Sequence, residues 1–150
     1  MDIKSPEERS RNMSKIKNTK TKPEMYIRSL FFRNGMRFRA NYADVLGKPD
    51  LYFSKYNVAV FVHGCYWHRH KGCAYAYTPK SNVEFWTNKL EGNFRHDEKV
   101  RNNLFEKGVR VLIIWECTIK KMFKDTDMVN KVFKKAQDFI LNEDSSFLEL

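Results

Sequence analysis

At 150 residues, 42% hydrophobic and 15% aromatic, the chain has room for one domain with a real core and needs no disulfide staples. No apolar run nears the roughly 20 residues of a membrane span, and the opening MDIKSPEERSRNMSK lacks the apolar middle of a signal peptide, so a cytoplasmic protein is expected. The 28 Lys+Arg against 18 Asp+Glu leave a net +10, of which residues 1–40 hold +7; this points to a polyanionic partner, nucleic acid first, beyond a merely solvated surface.

Residues 1–20 read as a polar, basic arm, and 21–150 as a single domain. TKPE then signals a helix start, with Thr21 as N-cap, Pro23 in the first turn and Glu24 three residues after the cap. Ile27, Leu30 and Phe31 form its buried stripe and Gly35 closes it. MRFRA alternates as a strand does. A loop with Gly47 and Pro49 leads to DLYFS and NVAVFVH, two strands joined by a tight polar turn near residues 55–57. The second is almost continuously apolar and is expected at the centre of a sheet. Residues 64–80 read as irregular. Ser81 and Glu84 then form a second capping-box pattern, opening a helix to about Lys107 with Gly108 after it. VRVLIIWE is a further buried strand, and an amphipathic helix covers 126–141. The order α-β-β-β-α-β-α predicts an α/β fold, a mixed central sheet with helices on both faces.

Three features carry chemistry. Asp50 begins a strand directly after Pro49, where a carboxylate at the mouth of a sheet can hold a hard divalent cation; an ordinary turn aspartate is the plainer alternative. On the long helix, Trp86, Leu90, Asn93, Asp97, Val100 and Leu104 recur at i+4 and i+3 and share one face. That face is apolar at both ends, so Asp97 sits where a lone charge is costly and needs a His, an Arg or a metal. The third feature is FVHGCYWHRHKGC, which holds three of the four histidines and two of the three cysteines. Cys65, His70 and Cys73, with the distant Cys117, make a Cys3His set suited to a closed, structural tetrahedral zinc site; cysteines packed as small hydrophobes are the alternative. That leaves His63 and His68 for acid–base work beside Asp50, with Asp97 to orient one of them. Tyr66 and Trp67 sit on the same loop, where exposed aromatics of a basic protein can stack on bases or wedge between them.

RSRNMSKIKNTKTKPE, GKPDLYF, FVHGCYWHRHKGC, FWTNKLEGNFRHD and GVRVLIIWEC run in order from Arg9 to Cys117. Together they resemble the very short patch repair endonucleases, which nick DNA at T·G mismatches left by deamination of 5-methylcytosine. The resemblance implies a restriction-endonuclease-like fold, a magnesium-dependent phosphodiester cut and a structural zinc. Asp50 matches the family's metal-binding aspartate, and the second metal contact, a backbone carbonyl, falls at Val62. Glu24 matches the residue that orients the attacking water. His68 matches the general base, with His63 and Asp97 in support. Cys65, His70, Cys73 and Cys117 match the zinc ligands. Tyr66, Trp67 and Trp86 match an aromatic wedge entering beside the mismatch from the major groove, and Met13 matches a residue inserted from the minor groove. The implied partner is double-stranded DNA with a T·G mismatch, met by a monomer, with mismatch-repair proteins and a repair polymerase to follow. The fold's usual D/E-x-K after the second strand is absent; VHG stands there instead. Two rival readings remain: a same-fold restriction-type nuclease acting on paired DNA, and a non-enzymatic zinc DNA-binding module. The latter leaves Asp50, Asp97 and two spare histidines unexplained.

Overall fold

The computed structural model describes residues 21–150; the basic arm expected over 1–20, with Met13, lies outside the described residues. Helix α1 spans Lys22–Arg33 and is capped as TKPE implies, the Thr21 hydroxyl accepting from the Glu24 N–H at 3.4 Å. Gly35 follows it at φ +77°, the left-handed turn that releases the chain. Strands β1 (Arg39–Ala40), β2 (Leu51–Phe53) and β3 (Val58–His63) pair antiparallel in succession. Helix α2 (Val83–Glu106) carries the chain over the sheet to β4 (Arg110–Trp115), which pairs parallel with β3, His63 opposite Trp115. Helices α3 (Glu116–Lys124) and α4 (Thr126–Leu141) lead to β5 (Phe147–Glu149), parallel to β4. The result is one mixed five-stranded sheet in the order β1-β2-β3-β4-β5.

Strand residues alternate between two cores. Leu51, Phe53, Val58, Val60, Leu112 and Ile114 face α1, α3 and α4, meeting Ile27, Phe31, Ile119 and Ile140. Ala59, Val111, Ile113 and Trp115 face the other way, under Leu104 of α2 and beside Cys65. Helices therefore cover both faces, as the order of elements predicts. Arg110 is buried in β4, and its guanidinium donates to the carbonyls of Phe139, Ile140 and Asn142 at 2.6–2.8 Å, closing the C-terminus of α4. No helix among the described residues is long and apolar enough to cross a membrane.

Four local expectations change. MRFRA yields only a two-residue strand, whose side chains are exposed on both faces, so no buried face prolongs it. The Ser81–Glu84 capping box does not form: α2 starts at Val83 behind Asn82, which is left-handed (φ +49°) and makes no side-chain cap bond. Helix α3 had no signal, because it follows β4 without a break and no side chain caps its first turn. Strand β5 is three residues long and is held by β4, with the Leu150 N–H donating to Ile113 at 2.8 Å and the Trp115 N–H to Leu150 at 2.9 Å.

This topology fixes the site. The C-terminal ends of β3 and β4 and the N-terminal end of antiparallel β2 meet at one edge of the sheet. Asp50, His63 and Cys117 therefore all lie toward the same end of the sheet despite their separation in sequence.

Candidate active site and metal centre

Asp50 enters β2 with its carboxylate turned along the sheet, and Oδ2 accepts from the Val62 N–H of β3 at 2.7 Å. Its other close partner is Glu24, 2% exposed on α1, with which it shares a side-chain hydrogen bond. Glu24 is also paired with Arg28 one turn along. Burial pushes the Asp50 pKa up to about 8, aided by the hydrogen bond and charge of Glu24 and opposed by the Val62 N–H and Arg28. A buried carboxyl set against a second one is the donor character expected of a hard-metal site.

His63 ends β3 and is buried; its ring lies flat against His68, centroids 3.9 Å apart and planes within 5°. Burial, then the charge of His68, lowers its pKa to about 3, so it is neutral throughout the physiological range. His68 Nδ1 lies 2.6 Å from Asp97 Oδ2. A carboxylate can only accept, so Nδ1 carries a proton, and in the neutral ring the lone pair is left on Nε2. His63, His68 and Asp97 bring their donor atoms within 4.8 Å of one another. Face-to-face rings, however, send their nitrogen lone pairs in parallel rather than to one point, a geometry that suits a metal ion poorly. His63 is the floor under His68, and both rings line the same pocket. Asp97 is held by His68 as its position on the α2 stripe requires, although the carboxylate keeps 23% of its surface open.

Asp50, His63, His68 and Asp97 line one pocket of about 430 Å³. Lys48, His96 and Arg101 line it too, the lysine and arginine giving it cationic side chains that sequence reasoning passed over. Their signal was adjacency to Asp50 and Asp97. Gly47 permits the close approach of its loop, since a Cβ there would lie 2.5 Å from a methyl of Val100, and its φ is +83°.

The second cluster is Cys65, His70, Cys73 and Cys117, whose donor atoms also fall within 4.8 Å. His70 Nδ1 lies 3.5 Å from Cys65 Sγ and 3.4 Å from Cys117 Sγ. The edge of a zinc tetrahedron with arms of about 2.3 Å to sulfur and about 2.1 Å to nitrogen is about 3.6 Å, so the spacing fits. Burial pushes the Cys65 thiol up to about 12, so only a cation makes this sulfur a thiolate. The Cys117 N–H donates to Cys65 Sγ at 3.4 Å, and His70 stacks on Trp115 at 4.1 Å. The cluster is a Cys3His site suited to structural zinc.

Between its two ligands at 65 and 70 the loop presents Tyr66 and Trp67. Trp67 is 45% exposed, its ring 6.2 Å from Trp86 on α2 and 5.2 Å from Tyr66, and its carbonyl accepts from Asn93 at 3.2 Å. The tryptophan is therefore a surface ring held from behind, not a core residue. Tyr77 and Phe85, which the sequence did not single out, extend this row of rings.

A family profile described as DNA mismatch endonuclease Vsr matches residues 1–74. Over 145 residues the chain is 34% identical to the DNA mismatch endonuclease Vsr of Escherichia coli K12, covering 97% of this chain and 91% of that protein. The chain belongs to the Vsr DNA mismatch endonuclease family. It is also 37% identical over 139 residues to the type II nicking enzyme V.NmeAIP of Neisseria meningitidis serogroup A, covering 93% and 99% of the two chains. A second nicking enzyme, V.XorIIP of Xanthomonas oryzae pv. oryzae, is 37% identical over 121 residues, covering 81% and 88%. As a Vsr-family protein this is a DNA nicking endonuclease, and its mixed sheet is the restriction-endonuclease-like fold of that family.

Proposed function

We propose that this Vsr-family chain nicks one strand of duplex DNA at T·G mismatches left by deamination of 5-methylcytosine, opening very short patch repair. The observation that carries the reading is the convergence, in one pocket, of Asp50, backed by the buried Glu24, and the His68–Asp97 dyad, with the exposed Trp67 on the His68 loop packed against the half-buried Trp86. Nicking rather than double-strand cleavage is supported by the names of the relatives above.

Asp50 and the Val62 carbonyl would hold magnesium against a DNA phosphate. In an extended strand a residue's N–H and C=O leave on the same side, and the Val62 N–H already points at Asp50. When bound, the metal supplies positive charge to the phosphodiester oxygens. Glu24 orients the attacking water and is itself fixed by Arg28. His68 accepts the water proton at Nε2, its other nitrogen being committed to Asp97. Asp97 holds that tautomer and offsets the imidazolium charge as it forms. His63, neutral and stacked beneath, keeps the ring from tilting without adding competing charge. Lys48 and Arg101 give the pocket the sign a polyanion needs. Tyr66, Trp67 and Trp86 enter beside the mismatch, where a T·G pair resists unstacking less than a matched pair does. Met13 inserts from the opposite groove. The protein works as a monomer, leaving the nick to a repair polymerase and mismatch-repair proteins.

The deciding assay incubates the protein with duplexes carrying each mismatch and a matched control, with and without magnesium. Magnesium-dependent nicking confined to T·G is expected. Equal nicking of the matched duplex would establish the restriction-type reading, and binding without nicking would establish the binding module.

A further inference from the structure

The wedge assigned above does not end at Tyr66. Tyr77 lies 4.9 Å from it, ring to ring at 41°, and is 63% exposed. A tyrosine this open would ordinarily be free to wander, yet its backbone is tied to that of Tyr66. The Arg69 guanidinium donates to the carbonyls of Tyr66 at 3.2 Å, Ala76 at 3.1 Å and Tyr77 at 3.1 Å, and its Cζ sits 5.5 Å from the Tyr66 ring centroid. Arg69 adopts a left-handed φ of +53° to reach them, a conformation disfavoured for a residue with a Cβ. One charged group spent on three carbonyls, at a strained position, fixes two arms of one loop and the rings they carry. Further backbone bonds, Ala76 to Cys73 at 3.0 Å and Cys73 to His70 at 3.2 Å, tie the second arm to the Cys3His cluster. The row Tyr77, Tyr66, Trp67, Trp86 is continuous, with centroid steps of 4.9, 5.2 and 6.2 Å.

We propose that Tyr77 is a fourth DNA-contacting ring, a specificity-determining residue that stacks on an unstacked nucleobase flanking the mismatch, with Arg69 as the positioning residue that aims it. The occupant follows from continuity with the wedge and from charge. The row is flanked by Arg69 and by Lys89, which lies over the Trp86 ring at 5.7 Å, and the chain carries a net +10. That combination suits a polyanion with exposed π faces, single bases of a locally opened duplex. The inference rests on the mismatch reading and lengthens the contact along the DNA by one ring.

The test compares wild type with Tyr77→Ala, Tyr77→Phe and Arg69→Met on T·G and matched duplexes carrying 2-aminopurine on either side of the mismatch. Zinc content and melting temperature are checked first, so that a lost loop is not mistaken for a lost contact; if Arg69→Met fails to hold zinc, Arg69→Lys replaces it. Tyr77→Ala should raise KM on the T·G duplex at least about fivefold, the low end of what one base–aromatic stack contributes, with kcat within about twofold. It should also abolish the 2-aminopurine change at one flank. Tyr77→Phe should retain both. Arg69→Met should reproduce the KM effect and add nothing in the double variant. Unchanged KM and an unchanged fluorescence signal in Tyr77→Ala would overturn the proposal. If wild type shows no preference for T·G, the mismatch reading fails instead, and Tyr77 is then judged on whichever duplex wild type nicks best.

Discussion

Asp50→Asn should separate stability from activity. In the metal-free protein the Asp50 carboxyl ionises near pH 8, chiefly because burial opposes its charge and secondly because Glu24 stands against it, whereas the ordinary value is 3.8. Between those values the unfolded chain binds fewer protons than the folded one. Stability contributed by this group is thus complete below about pH 4, falls as pH rises towards 8 and is level above. At pH 7 the unfolded carboxyl lies about three units past its own pKa, and at about 1.4 kcal/mol per unit the group costs the fold about 4 kcal/mol. Asparagine carries no charge, still accepts from the Val62 N–H and can donate to Glu24. It should recover part of that cost, on the order of 2 kcal/mol, or about 4–8 °C in melting temperature for a chain of this size. Melting curves of both proteins, zinc-replete and magnesium-free, across the range from acid to mild alkali would show the gap opening as pH rises. Magnesium should raise the wild-type melting point and leave the variant unmoved, and the variant should not nick. A variant that melts below wild type at pH 8, or a gap independent of pH, would refute the account of the carboxyl pair.

His63 titrates in the opposite sense. Its pKa is lowered from 6.5 to about 3 by burial, so the unfolded state binds the extra proton and stability falls as pH drops below 6.5; His63→Phe, which keeps a ring under His68, should flatten that acid limb in pH-dependent melts. Cys73→Ser should lose zinc by metal analysis and melt earlier, while Asp50→Asn keeps its zinc in the same measurement. Arg110→Met strips the donors from three carbonyls at the end of α4 and should cost about 3 kcal/mol, seen as a drop of about 6–12 °C in melting temperature with nicking at 25 °C intact. An unmoved melting point would show that water replaces the guanidinium at no cost.

The elements legible in the sequence are those whose pattern and punctuation agree. Helix α1 has its cap, its stripe and its glycine; β3 and β4 are unbroken apolar runs; α4 repeats its apolar positions over four turns. Helix α3 and strand β5 had neither punctuation nor length, and exist because β4 and the core under Ile119 hold them. The site divides in the same way. Residue types announced the Cys3His cluster, the PD aspartate and an acid on the inner face of α2. Relations between side chains across the sheet did not announce themselves. The Val62 N–H aimed at Asp50, the flat stack of His63 on His68 and the three-carbonyl grip of Arg69 all depend on register and rotamer, which spacing alone does not encode.

One consequence of the loop's order bears on how such an enzyme discriminates. Tyr66, Trp67 and His68 are consecutive, and all three lie between Cys65 and His70, two ligands of one cluster. A span of four residues closed at both ends cannot shift one side chain's backbone and leave the next in place. Two of these three are also tethered to α2 one turn apart, Trp67 through its carbonyl to Asn93 and His68 through Nδ1 to Asp97. On the proposed roles, the rings that test the base stack and the imidazole that takes the proton thus belong to one rigid body. A matched pair that refuses the wedge would hold that body back from the strand and carry His68 Nε2 away from the attacking water. Discrimination would then fall on kcat as well as on binding, since the misfit is expressed at the proton acceptor itself. Loosening either anchor, the zinc ligands or the α2 tethers, should therefore lower the rate on T·G and blur the preference for it together, whereas shortening a ring alone should act on the preference first.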